Sequence, residues 1–111
     1  MARISRKHND CPYMAATTAL KKIGGRWKVL ILWELLEGAK RYSELRRAMP
    51  EITEKMLGQQ LAELEEDGLL VRQELVHKPP KVVQYELSEI GLSARGMIHE
   101  MVAWGRQFNE V

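Results

Sequence analysis

Pro50 stands between two amphipathic segments, and that arrangement limits the possible folds more than any other feature of the chain. Leu45 and Met49 lie one helical turn apart before it, and Leu57, Leu61 and Leu64 recur at helical spacing after it. A proline inside the first helix would remove a hydrogen bond, so the chain is expected to turn there. Thr53 is a favourable N-cap for the second helix, but Met56 sits where a capping box carries Glu or Gln, so the cap is expected to be half made. Gly68 closes the second helix. Residues 41–66 therefore read as a helix, a turn and a longer helix.

Downstream, Val71 to Ser88 alternates like two strands, with Leu75, Val76, Val82, Val83, Tyr85 and Leu87 as β-type residues around a Lys78-Pro79-Pro80-Lys81 tip. Upstream, Pro12 suits the first position of a helix over 12–23, and Gly24-Gly25 breaks it. A second helix is expected from Trp27 to Leu36, with Val29, Leu32, Trp33 and Leu36 as its apolar stripe and Leu30, Ile31 and Leu35 widening it. Ser88 heads a last helix over 89–107. The fold class that follows is mainly α with a small β-hairpin wing. In outline it is a single winged helix-turn-helix domain with a flexible arm over 1–10, a helix-turn-helix over 41–66, a wing over 71–87 and flanking helices over 12–23 and 89–107.

Such an order makes double-stranded DNA the first partner to consider. At 100° per residue the three leucines take one side of the second helix, and Lys55, Gln59, Ala62 and Glu66 take the other. Gln pairs in bidentate fashion with adenine and Lys with guanine or phosphate, so Thr53, Lys55 and Gln59 are candidates for base contact. Gly58 and Ala62 beside them are small enough for close approach. Arg41, Arg46, Arg47, Lys78 and Lys81 are candidates for phosphate, while Glu63, Glu65, Glu66 and Asp67 collect at the far end of the helix. The net charge of +2 is too mild to decide the matter. A mixed solvated face and a solubilising turn remain open as readings of the same residues.

On the last helix, Met97, Met101, Trp104 and Phe108 recur at helical spacing beside a second stripe of Ile90, Ala94, Ile98 and Val102. Two stripes exceed what one small domain can cover. A homodimer is therefore expected, with Met14, Leu20, Met97, Ile98, Met101, Trp104 and Phe108 in the interface, unless this helix folds back on its own core. Two recognition helices related by a dyad should sit about 34 Å apart, one turn of B-DNA.

The 111 residues carry one cysteine, so an intrachain disulfide and a CxxC motif are excluded. Cys11 would be the N-cap of the helix that begins at Pro12. The positive helix end and Arg6, Lys7 and His8 would favour a thiolate there, and Asp10 opposes one. Two copies could bridge if their Cα atoms approached within about 7 Å. A lone cysteine can equally be an inert small hydrophobe. A thiol-dependent peroxide reductase finds no second thiol to resolve a sulfenic acid. A winged helix used only for protein contact would not need the basic hairpin and Arg46-Arg47. His8, His77 and His99 lack metal spacing, so no metal and no cofactor is expected. The longest apolar run, Val29 to Leu36, is too short to span a bilayer and contains Glu34, and the basic N-terminus lacks an apolar signal core. The cytoplasm is the expected compartment.

Taken together, Cys11-Pro12, IGGRWKVLILWELLEG from Ile23 to Gly38, the R-Y-S-E-L-R-R block from Arg41, the series from Ile52 to Leu69, the P-P-x-V-x-Y hairpin and Y-x-L-S-x-x-G resemble the HxlR-type family of bacterial winged-helix regulators. The resemblance covers nearly the whole chain. It implies a homodimeric transcription regulator on a palindromic or near-palindromic operator, and a cysteine at position 11 that in several members senses small electrophiles or oxidants. Gly58 departs from the pattern, since relatives often carry a polar side chain there.

Overall fold

The computed structural model describes residues 11–109. The expected arm over 1–10, with Arg6, Lys7, His8 and Asp10, lies outside the described residues. The helices are α1 (Pro12–Ile23), α2 (Lys28–Leu35), α3 (Tyr42–Ala48), α4 (Glu54–Glu66), α5 (Glu89–Leu92) and α6 (Arg95–Arg106). Among the described residues three strands, β1 (Lys40–Arg41), β2 (Leu70–Val76) and β3 (Val82–Leu87), form one antiparallel sheet in the order β1-β3-β2. The β2–β3 hairpin is the expected wing. β1 was not expected: two residues carry no readable alternation, and only the pairing of Lys40 with Tyr85 and Arg41 with Gln84 makes them a strand.

Among the described residues nine large side chains are essentially solvent-free: Ile31, Leu32 and Leu35 of α2, Leu45 of α3, Ile52 in the turn, Leu57, Leu61 and Leu64 of α4, and Ile98 of α6. They make one core around α2, closed on the sheet side by Leu69, Leu70, Tyr85 and Leu87. α2 is the buried spine that its composition suggests, but it is turned differently. Its buried face is Lys28, Ile31, Leu32 and Leu35, whereas Val29, Trp33 and Leu36 are only partly covered and Leu30 is exposed. In a segment that is apolar almost all round, two i, i+3, i+4, i+7 sets compete. A polar anchor decides between them: Lys28, 9% exposed, reaches Glu63 of α4 at 2.7 Å.

Ends of elements follow local chemistry. The Thr53 hydroxyl oxygen accepts the Met56 N–H at 3.0 Å, the half cap expected of it. Gly68, at φ +79°, ends α4 in the left-handed conformation, with Gly68 N–H to Glu65 O and Leu69 N–H to Leu64 O both at 2.9 Å. Gly68→Ala should therefore cost about 1 kcal/mol. In urea unfolding this would appear as a lower midpoint at unchanged slope, and an unchanged midpoint would refute it.

The expected single helix over 89–107 is two. Ser88 accepts the Gly91 N–H at 3.1 Å and donates to Gly68 O at 2.6 Å, which pins α5 to the end of α4. Gly91 packs so closely that a Cβ on it would lie 2.2 Å from Leu69 O. The chain turns at Ser93-Ala94 before α6 begins. Ile98, assigned above to the dimer interface, is another correction, because it is fully buried in the core of its own chain. At 100° per residue it lies roughly 90° from the Met97, Met101, Trp104 and Phe108 stripe.

Candidate nucleic-acid interface

α3, the turn and α4 form the helix-turn-helix, and the connection is held by more than its proline. The Arg46 guanidinium donates to the Ile52 carbonyl across the turn. Part of Arg46, expected at phosphate, is thus committed to shaping the motif. Tyr42 Oη donates to Glu54 O at 3.4 Å, tying the start of α3 to the start of α4. Arg26 stacks 4.3 Å from the Trp27 ring centroid and meets Glu51 at 3.4 Å, so the α1–α2 connection also braces the turn.

With Leu57, Leu61 and Leu64 buried, α4 presents Lys55, Gly58, Gln59 and Ala62, all exposed. Thr53 sits at the same end, but its oxygen is engaged by the Met56 N–H, leaving its O–H to donate. Gly58 is helical with negative φ, and a Cβ there would meet nothing within 4 Å. A helix-interior glycine costs about 1 kcal/mol relative to alanine, and no contact among the described residues accounts for it. Its effect is to lower the outer surface beside Gln59.

Gln59 is oriented from below. Its Nε2 donates to Glu63 Oε2 at 3.3 Å, and Glu63 Oε1 holds Lys28. The hydrogen bond from Lys28, then that from Gln59, hold the Glu63 carboxyl below the usual carboxylate range. The remaining amide N–H and the carbonyl of Gln59 are the pair a bidentate base contact uses. Lys28 was not singled out from sequence, although a lysine three residues before Ile31 in an apolar helix is a readable oddity. Two members of the acidic end of α4 serve the fold: Glu63 pairs with Lys28, and Asp67 with Lys22 at 3.1 Å.

Arg41 and Lys81 come together. With Tyr42, Ser43, Val82 and Val83 they line a hollow of about 180 Å³ between the start of α3 and the wing. Two cationic side chains and a hydroxyl suit a backbone phosphate. Ser43 had not been singled out from sequence. Arg47 is exposed on α3, and Lys78 is exposed at the hairpin tip. The tip is partly self-neutralised. Glu74 lies 3.0 Å from His77, 3.3 Å from Arg72 and 3.9 Å from Lys81. The His77 hydrogen bond and the Lys81 charge, together with Arg72, hold the Glu74 carboxyl below its ordinary range.

Elsewhere, Tyr13, Met14 and Leu20 of α1 and Met97, Met101, Trp104 and Phe108 at the other end of the chain are exposed, with Trp104 and Phe108 in edge-to-face contact at 4.9 Å. Cys11 is the residue before α1, as expected, but it makes no side-chain cap hydrogen bond and is 8% exposed. Among the described residues no group of His, Cys, Asp and Glu is arranged to hold a metal ion. No helix among them is long and apolar enough to cross a membrane.

A helical core built from α2, α3, α4 and α6, with a hairpin beside an outward-facing second helix of the motif, defines the winged helix-turn-helix class, whose usual partner is duplex DNA. A family model described as HxlR-like helix-turn-helix matches residues 22–111, and the chain belongs to that family. It is 51% identical over 92 residues to the HTH-type transcriptional regulator YtcD of Bacillus subtilis strain 168, covering 83% of this chain and 72% of that protein. To the HTH-type transcriptional regulator YodB of the same organism it is 40% identical over 100 residues, covering 90% of this chain and 87% of YodB. The solved structure of the redox regulator HypR in its oxidised form superposes with a TM-score of 0.79 at 37% identity, covering 87% of this chain and 99% of that one. The chain is accordingly a DNA-binding transcriptional regulator.

Proposed function

We propose that the protein works in the cytoplasm as a homodimer that places its two α4 helices in successive major grooves of a palindromic operator. Lys55 and Gln59 face bases; Arg41, Arg47, Lys78 and Lys81 hold phosphates, and Arg46 contributes what its turn contact leaves over. The observation that carries this reading is the α4 surface itself, a lysine and a buttressed glutamine flanked by Gly58 and Ala62, next to the Arg41–Lys81 hollow. The test is operator binding across a salt series. Lys81→Ala should lower the slope of log K against log salt by about one unit, and Lys55→Ala should weaken binding at every salt. Parental curves from both variants would refute the assignment.

Cys11 is proposed as the point at which a small electrophile or oxidant acts. Relatives support this: HypR is described in oxidised and reduced forms, and YodB in reduced and diamide-treated forms. Because the Cys11 side chain is largely covered, reaction requires it to be uncovered first, which would couple oxidation to movement at the head of α1. Diamide or a quinone should release the parent protein from its operator and leave Cys11→Ser bound, as read by footprinting. Equal release of both would place the sensitivity elsewhere.

A further inference from the structure

A groove of about 300 Å³ runs between the end of α2 and the first turns of α6, lined by Trp33, Leu36, Glu37, Arg95 and His99. None of these residues is among those proposed above for DNA contact. We propose that this groove binds a small aromatic carboxylate, with the carboxylate on Arg95 and His99 and the ring against Trp33 and Leu36.

The chemistry of the lining supports that class. Arg95 Nη2 donates to Leu36 O at 3.4 Å, which lays the guanidinium along the rim and leaves most of its fork for a second acceptor. His99, one turn further along α6, meets Trp33 edge-to-face at 5.1 Å, so imidazole and guanidinium edge the same apolar wall. Glu37, the acidic member of the lining, is engaged by Lys40 at 3.0 Å, which offsets its charge. The volume is at the small end for ligand sites and fits a ring with one charged substituent.

The groove is also compatible with the proposed dimer. At 100° per residue, Arg95 and His99 lie roughly 170° around α6 from Met97, Met101, Trp104 and Phe108. The α6 residues of the groove are therefore not those proposed to meet a partner. An occupant would bridge α2, which carries the Lys28 that holds Glu63, and α6, the proposed dimerisation helix.

The test uses the full-length protein without DNA, so its failure is distinct from failure of operator binding. Benzoate, benzamide and acetate are titrated by calorimetry, with fluorescence of the tryptophans followed in parallel. Benzoate should bind saturably at one site per chain, with benzamide and acetate each weaker by about tenfold or more, since one lacks the charge and the other the ring. Arg95→Ala should weaken benzoate by about tenfold or more, and Arg95→Lys, which keeps the charge but not the fork, by less. Equal binding of benzoate and benzamide, parental affinity in both Arg95 variants, or no saturable binding at millimolar benzoate would each overturn the proposal.

Discussion

Trp104→Ala is expected to leave the protein folded and largely monomeric at micromolar concentration. The Trp104 side chain is 65% exposed and Phe108 68%, and the two rings support one another at 4.9 Å on a face that the core does not use. Truncating a central aromatic at an interface typically costs about 2 kcal/mol or more, and a two-fold axis removes it twice. About 4 kcal/mol corresponds to a roughly thousandfold weaker dimer. Ile98 still anchors α6 in the core, so far-ultraviolet circular dichroism should not change while sedimentation velocity reports the monomer. Operator affinity should fall with it, because a monomer engages one half-site. A variant that still sediments as the parental dimer would show that this face is covered by something else, or by nothing.

The second large effect concerns sequence reading. Gln59→Ala should reduce affinity for the preferred base pair at one operator position in each half-site by about 1–3 kcal/mol, and leave operators already substituted at that position almost unaffected. The slope against salt should stay parental, since no phosphate contact is lost. A loss spread evenly over all bases would assign Gln59 to general adhesion. The Lys28–Glu63 pair beneath Gln59 predicts the direction of a companion result: Glu63→Ala, which frees the amide to rotate, should blur discrimination at the same position with a smaller loss of affinity.

Much of the proposed recognition surface was legible from residue order because it depends on local rules. Pro50 forces a turn, Thr53 caps, Gly68 terminates, and the leucines at helical spacing leave Lys55 and Gln59 on the far side of α4 whatever packs beneath. Less legible were the features that depend on a second element. Val29 to Leu36 is apolar nearly all round, so its periodicity could not choose a face; the pairing of Lys28 with Glu63, 35 positions away, does. Arg46 looked like a free cation because nothing local says that Ile52 O comes within reach once the turn closes.

Local chemistry alone, then, determined that this chain makes a helix-turn-helix followed by a basic hairpin, since caps, breakers and short-range periodicity act within a few residues of one another. Tertiary structure decided which face of α2 is inside, that Ile98 belongs to the core, that residues 40 and 41 are a strand, and that Arg41 and Lys81 share one hollow. Each of these depends on burial or pairing between segments far apart in the chain. Such contacts are selected by how whole elements fill space together, a constraint that no single stretch of sequence carries.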